Sequence, residues 1–91
     1  MILIDPPLVP SRGRLWSHLV SDTSYEELHA FATANGIPAR AFDRDHYDVP
    51  GDYYEALVAA GAVPVRPREL VLRLRASGMR RRKRAGNDNR S

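Results

Sequence analysis

Cysteine is absent from the 91 residues of this chain, which excludes disulfide bonds and thiolate metal sites. That absence is typical of a reducing cytoplasm, which is the localisation we expect. The longest apolar runs are far shorter than a membrane span requires, and the residues after Met1 lack the pattern of a secretory signal. A chain of this length is expected to fold around one small core.

Several familiar catalytic motifs are also lacking. The chain contains no G-x-S-x-G elbow, no P-loop and no G-x-G-x-x-G turn. No two histidines have the i, i+4 spacing of a helical zinc site. Any chemistry must therefore come from side chains that are distant in sequence and that the fold brings together.

The positive charge is concentrated at one end. The chain has a net charge of +3, but residues 80–91 hold six basic residues and one acidic residue, a net charge of +5, which leaves −2 for residues 1–79. We therefore expect one domain over residues 1–79 and a disordered basic tail over residues 80–91. The high isoelectric point reflects the tail and gives no indication of a basic face on the domain.

Short apolar runs alternate with helical patterns along the chain. The first helix is the clearest, because two overlapping capping boxes, Thr23 with Glu26 and Ser24 with Glu27, are expected at its start and Asn35-Gly36 at its left-handed end. The order of elements predicts a small α/β domain of two or three layers, with three helices and a short, mainly parallel sheet of three or four strands. Residues 6–14 are predicted to form a loop. The strands are expected at "MILI", "LWSHLV", "HYDV" and "AVPV".

Three of these strands end in an aspartate: Asp5, Asp22 and Asp48. If the strands run parallel, the three carboxylates meet at one edge of the sheet, where they could bind Mg²⁺ or Mn²⁺. Aspartates also commonly cap loops and helices, so each has a structural alternative. If the first two strands form a hairpin instead, Asp5 and Asp22 lie at opposite edges and the site does not exist.

The three histidines form a second set of candidates. Alternation places His18 on the same strand face as Trp16, and places His46 with Asp48 opposite Tyr47. We expect His18 and His46 to assist catalysis as acid, base or metal ligand. A hydrogen-bonded structural role is the alternative for each histidine.

The remaining candidates are for binding. Guanidinium groups beside an aromatic ring suit contact with phosphates or bases, with a solvated loop as the alternative. The candidate binding residues are Arg12, Arg14, Trp16, His29 and Tyr47. The tail would bind nucleic acid without sequence preference, or serve only as a solubilising end. Its basic residues are Arg80, Arg81, Arg82, Lys83 and Arg84.

The succession "MILIDPP", "GRLWSHLVSDTSYEELHAFA", "GIP", "HYDV", "AGAVPV" and "REL" resembles a family of small bacterial and phage proteins catalogued as domain of unknown function 4031. The resemblance covers about residues 1–78, leaves the basic tail outside, and implies no particular activity. The motif positions that the family shares with this chain are Asp5, Trp16, His18, Asp22, Glu27, His29, His46, Tyr47 and Asp48.

The sequence therefore leaves two hypotheses about function. One is a metal-dependent phosphoester hydrolase or nuclease-like protein that uses the strand-end aspartates. The other is a non-catalytic module that binds nucleic acid or a protein partner through the basic tail and the Arg12/Arg14 loop.

Overall fold

The computed structural model describes residues 1–80. The rest of the predicted basic tail, residues 81–91, lies outside the described residues. Three helices and six strands occur among residues 1–80, together with short 3₁₀ turns. Their bounds are β1 (Ile2–Ile4), β2 (Val9–Ser11), β3 (Arg14–Ser21), α1 (Tyr25–Ala34), β4 (Phe42–Asp43), β5 (His46–Pro50), α2 (Tyr54–Ala59), β6 (Val63–Pro64) and α3 (Pro67–Ala76). Within residues 1–80, no helix is long and apolar enough to cross a membrane.

The six strands form one mixed sheet in the order β4-β5-β3-β1-β6, with β2 paired to β3. Among the described residues, β1 and β6 form the one parallel pair, and the other pairings are antiparallel. The prediction of an α/β domain with three helices is confirmed. The prediction of a mainly parallel sheet with three or four strands is wrong.

The reason for this error lies in residues 6–14, which do not form a simple loop. They hold β2 and the two-residue turn Arg12-Gly13, in which both residues have positive φ angles. Such turns match the twist of antiparallel strands, so β2 and β3 close as a hairpin. Without a crossover helix in this segment, β3 returns antiparallel to β1.

The register of β1 and β3 determines where Asp5 and Asp22 lie relative to each other. Ile2 lies opposite Ser21 and Ile4 lies opposite Leu19. Asp5 therefore follows β1 at the end where His18 lies, whereas Asp22 follows β3 at the end where Met1 lies. The expected convergence of Asp5, Asp22 and Asp48 does not occur, because the C-terminal ends of antiparallel strands lie at opposite ends of the sheet.

Apolar side chains cover both faces of the sheet. On one face, α1 and α2 bury a cluster whose main members are Ile2, Ile4, Leu19, Leu28, Tyr47, Val49 and Leu57. On the other face, α3 covers a smaller cluster comprising Leu3, Val20, Leu70, Leu74 and Met79. The helix covers only part of this second face, so a polar strip of β3 and β5 beside it stays half-buried.

The first helix has the predicted ends but not the full capping box. The backbone N–H of Glu27 donates to Ser24 Oγ at 3.0 Å, and the N–H of Ile37 donates to the carbonyl of Ala32 beyond Gly36, which has a φ of 76°. The Glu27 carboxylate instead accepts a hydrogen bond from Ser21 Oγ at 2.5 Å. This bond lowers the pKa of Glu27 and ties α1 to the end of β3.

Candidate metal and phosphate site

The polar strip beside α3 brings together two histidines and an aspartate. His18 of β3 lies directly opposite Asp48 of β5, so their side chains project from the same face of the sheet. His46 precedes Asp48 by two residues and therefore shares that face. One donor atom from each of these three side chains lies within 4.8 Å of the others. We call these three residues the His-His-Asp cluster.

Each imidazole of the cluster is held from behind by a buried carboxylate. His18 Nδ1 lies 2.8 Å from Asp5 Oδ2, and His46 Nδ1 lies 2.8 Å from Asp45 Oδ1. Asp5 is 3% exposed and Asp45 is 1% exposed, so both carboxylates require hydrogen-bond donors. A proton on each Nδ1 supplies a donor, which leaves each Nε2 as the atom that faces the cluster.

Both Nε2 atoms point to the same carboxylate oxygen. Asp48 Oδ1 lies 3.1 Å from His46 Nε2 and 3.9 Å from His18 Nε2. Two nitrogen lone pairs and an anionic oxygen repel one another at this range unless a positive charge lies between them. That charge is either a proton on the imidazoles or a metal cation coordinated by all three atoms.

Asp5 shapes the electrostatics of His18. Its hydrogen bond raises the pKa of His18 above the ordinary value of 6.5, against the opposing effect of burial. The backbone N–H of His18 also donates to Asp5 Oδ1, at 2.6 Å, which fixes the carboxylate at both oxygens. A carboxylate behind an imidazole is the usual arrangement in metal sites, where it fixes the tautomer and makes Nε2 more basic.

A tight turn between β4 and β5 places Asp45 behind His46. The N–H of Asp45 donates to the carbonyl of Asp43 at 2.7 Å, and the intervening Arg44 has a φ of 61°. This i to i+2 bond closes a γ-turn in which a non-glycine residue adopts a left-handed conformation. Such strained residues concentrate at functional sites, and this turn brings both Arg44 and Asp45 to the cluster.

A cavity of about 220 Å³ opens beside the two histidines. We call it the smaller cavity, and its polar lining comprises Asp5, His18, Arg44, Asp45, His46 and Arg80. Arg80 Nη1 lies 3.7 Å from Asp45 Oδ2. Arg44 Nε is buried and makes no hydrogen bond within residues 1–80, and the nearest carboxylate oxygen, Asp43 Oδ1, lies 3.8 Å away. Two guanidinium groups, one of which has a buried donor without a hydrogen bond, suit an anion such as phosphate.

A second cavity, of about 650 Å³, adjoins the cluster through Asp48. We call it the larger cavity; it lies along the outer edge of β5, beyond the end of the short β4. Its lining includes Arg12, Trp16, Arg40, Phe42, Asp48 and Tyr53. The guanidinium carbons of Arg12 and Arg14 lie 4.9 and 5.9 Å from the centre of the Trp16 ring, so the predicted Arg12, Arg14 and Trp16 grouping exists.

Asp22 lies outside the cluster and forms ion pairs. Its carboxylate lies 3.0 Å from the α-amino group of Met1 and 2.7 Å from Arg73 Nη2. Burial tends to raise the pKa of Asp22, but the hydrogen bonds from Met1 and Arg73 outweigh it and lower the pKa below 3.8. This carboxylate links α3 to the start of α1.

His29 and Tyr47, predicted as binding residues, lie on the opposite face of the sheet. His29 Nδ1 lies 2.7 Å from the Tyr47 hydroxyl, and both rings pack against Phe42. Tyr47 is buried in the core, and this burial raises its pKa. The structure therefore places these two side chains away from the His-His-Asp cluster.

Four residues that line the two cavities were not predicted as site residues: Asp45, Arg44, Arg40 and Tyr53. Simple alternation places Asp45 on the face opposite its neighbour His46, so a strand pattern alone would not pair them. The adjacent sequence "RD" before "HYDVP" was the available signal, since two charged residues between strands indicate a short turn.

Comparison with known proteins yields one match. A family model described as "Protein of unknown function (DUF4031)" matches residues 2–77. No curated protein and no solved structure matches the chain.

Proposed function

We propose that this chain, which belongs to the family described as protein of unknown function (DUF4031), is a metal-dependent phosphoester hydrolase. One observation carries the proposal: His18 Nε2 and His46 Nε2 both face Asp48 Oδ1, while buried carboxylates engage both Nδ1 atoms. A cation at the centre of these three atoms removes their mutual repulsion. The proposed ligands are therefore His18, His46 and Asp48.

The donor set indicates which metal the site would prefer. Two imidazoles and one carboxylate suit Zn²⁺, Mn²⁺ or Fe²⁺ better than Mg²⁺, which favours oxygen ligands. Three protein ligands also leave coordination positions open for water and substrate, as in catalytic rather than structural metal sites. Of the metals expected from sequence, we therefore retain Mn²⁺, and we add Zn²⁺.

The smaller cavity supports a phosphoester as substrate. Arg44 and Arg80 line it together with His18 and His46, so an anion held there lies next to two of the proposed metal ligands. A divalent metal supplies a water of lowered pKa and polarises a phosphoryl oxygen. The two guanidiniums would stabilise the negative charge that accumulates on the phosphoryl group during hydrolysis.

This proposal changes the roles of the three strand-end aspartates. Asp48 stays a candidate ligand, whereas Asp5 acts behind His18 and positions its ring. Asp22 has no part in the site because Met1 and Arg73 already engage its carboxylate. His18 and His46 change from assisting residues to ligands.

The alternative function is a non-catalytic module that binds nucleic acid or a protein partner. The contact of Arg12 and Arg14 with Trp16 favours a polyanion as its ligand. This alternative requires polyanion binding but neither metal binding nor hydrolysis, so a metal titration separates the two functions.

The test combines calorimetric titration of the metal-free chain with Zn²⁺, Mn²⁺ and Mg²⁺ and an assay of bis(p-nitrophenyl) phosphate hydrolysis. We expect one Zn²⁺ or Mn²⁺ per chain, and metal-dependent hydrolysis. His46→Ala and Asp48→Asn should lose both properties. His29→Gln, which changes a histidine on the opposite face, should retain both. Absence of metal binding at millimolar concentration would refute the metal site, and metal binding without hydrolysis would refute the catalytic role.

A further inference from the structure

The larger cavity has the lining that a nucleotide requires. Trp16 and Tyr53 provide aromatic surface, and Tyr53 is 42% exposed, as a ring used for stacking must be. Arg12 lies against the Trp16 ring, and Arg40 lines the same cavity. Aromatic faces combined with guanidinium groups are the usual means by which proteins bind unpaired bases and their phosphates.

Trp16 connects this cavity to the proposed metal site. It precedes His18 by two residues on β3, so both side chains project from the same face of the sheet. Its indole N–H donates to the carbonyl of Ser11 at 2.8 Å, which fixes the ring against the β2–β3 hairpin. A base on this ring would therefore lie one side-chain position from the metal ligands.

Arg12 currently contacts the ring that a base would use. Its guanidinium carbon lies 4.9 Å from the ring centre, and the residue is exposed at the tip of the hairpin. An exposed cation–π contact is weaker than the stacking of a base on tryptophan. A base can therefore displace Arg12, whose guanidinium then becomes available to the adjoining phosphate.

Guanidinium groups occur on both sides of the His-His-Asp cluster, in each cavity together with two aspartates. Arg44 and Arg80 line the smaller cavity next to the histidines, and Arg12 and Arg40 line the larger cavity next to Asp48. A substrate that uses both pairs needs at least two phosphates. A nucleoside monophosphate has one phosphate, whereas a polynucleotide strand presents one at every unit.

We infer that the substrate is single-stranded nucleic acid, with the phosphate to be cleaved in the smaller cavity and the adjoining nucleotide in the larger cavity, its base against Trp16. This inference rests on the proposed hydrolase function. The strand must be single because a base in a duplex is stacked and paired, and cannot lie against a protein ring.

Trp16 is the sole tryptophan of the chain, so its fluorescence reports on this cavity alone. The full chain is titrated in EDTA with a five-nucleotide oligothymidylate, an abasic deoxyribose-phosphate pentamer and thymidine monophosphate. We expect the oligothymidylate to quench Trp16 and to bind about tenfold more tightly than the abasic pentamer. Equal binding of the two pentamers without quenching would overturn base stacking, and equally tight binding of the monophosphate would overturn a strand as substrate.

Variants then locate the binding surface, with a labelled pentamer and fluorescence anisotropy as readout. Arg40→Ala and Trp16→Leu should each weaken binding several-fold, whereas Trp16→Phe should retain most of it. Arg68→Ala is the matched control because Arg68 is exposed on α3 and lines neither cavity. Equal loss in this control would show that binding depends on charge alone and would overturn the assigned cavity.

All these variants keep residues 81–91, so the contribution of their basic residues is the same throughout. Because EDTA removes metal, binding of the pentamer is measured without any contribution from a metal at the His-His-Asp cluster. If metal binds but the pentamer does not, the hydrolase proposal stands and the substrate inference is overturned. If the pentamer binds but metal does not, the hydrolase proposal fails and the inferred substrate becomes a ligand only.

Discussion

The imidazole rings of His18 and His46 stand edge to face, with their centres 5.2 Å apart and their planes at 80°. Each ring has its own buried carboxylate at Nδ1, so neither ring needs to rotate for the two Nε2 atoms to meet near Asp48. Side chains fixed in this way provide a preorganised site, because little conformational entropy is lost when a ligand binds.

Replacement of Asp45 by asparagine should weaken metal binding without removing a ligand. The amide keeps the size of the side chain, but it is a poorer acceptor for His46 Nδ1–H and lowers the basicity of Nε2. Loss of a carboxylate behind a metal-binding histidine costs about 10–100-fold in affinity. Competition with a chromophoric chelator would measure the change for Zn²⁺.

The control for this variant is Asp43→Asn, two residues earlier. Asp43 is exposed and its carboxylate contacts Arg44 at 3.8 Å rather than a histidine. We expect its metal affinity to equal that of the unchanged chain. If Asp45→Asn also binds metal with unchanged affinity, then Asp45 does not position His46 for coordination.

In the metal-free protein, the pKa of His18 should lie above 6.5 because Asp5 accepts its Nδ1–H. The folded state then holds the proton more tightly than the unfolded state, so this interaction stabilises the fold most below pH 6.5. The stabilisation is lost as the pH rises through the folded pKa. NMR titration of the His18 ring measures the pKa directly, and Asp5→Asn should lower it.

A pKa for His18 that does not change in Asp5→Asn would contradict this account. His29 provides an internal reference in the same spectra, since it lies on the opposite face of the sheet and hydrogen-bonds Tyr47. The chemical shifts of its ring at one fixed pH should be the same in both proteins. A change in those shifts as well would indicate a global change in the fold rather than the loss of one hydrogen bond.

The parts of the fold that depend on local pattern were predictable from sequence. Alternation placed His18 on the same face of β3 as Trp16, and the structure agrees, because Asp48 lies opposite His18 and lines the larger cavity together with Trp16. The end of α1 at Asn35-Gly36 was predictable for the same reason, since a left-handed cap is a property of a few adjacent residues.

The parts that depend on chain direction were not predictable in this way. A hairpin and a crossover both return the chain to the sheet, and the proline-rich residues 6–14 gave no periodic signal for either. Because the chain forms a hairpin there, Asp22 lies at the opposite end of the sheet from Asp5 and Asp48, and not in the site predicted from sequence. Asp45 was not predicted because its position depends on the left-handed conformation of Arg44. Arginine rarely adopts that conformation, so the residue type gave no reason to expect it.

Asp22 lies at the end of the sheet away from the His-His-Asp cluster, and it should make the stability of the fold sensitive to acid. Its pKa in the folded protein lies below 3.8, because the bonds from Met1 and Arg73 outweigh the effect of burial. A lowered folded pKa contributes stability above pH 3.8, and that stability is lost as the pH falls through the folded value. Urea unfolding between about pH 5 and pH 2.5 should therefore show a flatter dependence for Asp22→Asn.

Asp52→Asn is the control for that experiment, since no ion pair involving Asp52 occurs within residues 1–80. Its pH dependence should match that of the unchanged chain. If Asp22→Asn and the unchanged chain lose stability in parallel as the pH falls, the Asp22 carboxylate contributes nothing that protonation removes.

Replacement of Arg44 by glycine should stabilise the fold but weaken the binding of phosphate. Its φ of 61° is unfavourable for a side chain with a Cβ atom, and glycine adopts it freely. Arg44→Gly should therefore raise the free energy of unfolding by about 1 kcal/mol. The same change removes a guanidinium from the smaller cavity, so inorganic phosphate should inhibit hydrolysis about tenfold less strongly.

Arg44→Ala separates the two effects, because it removes the guanidinium but keeps the Cβ atom. It should lose phosphate affinity without gaining stability. Equal stability of the glycine and alanine variants in urea unfolding would show that the turn is not strained. Unchanged inhibition by phosphate in both variants would show that Arg44 does not bind the anion.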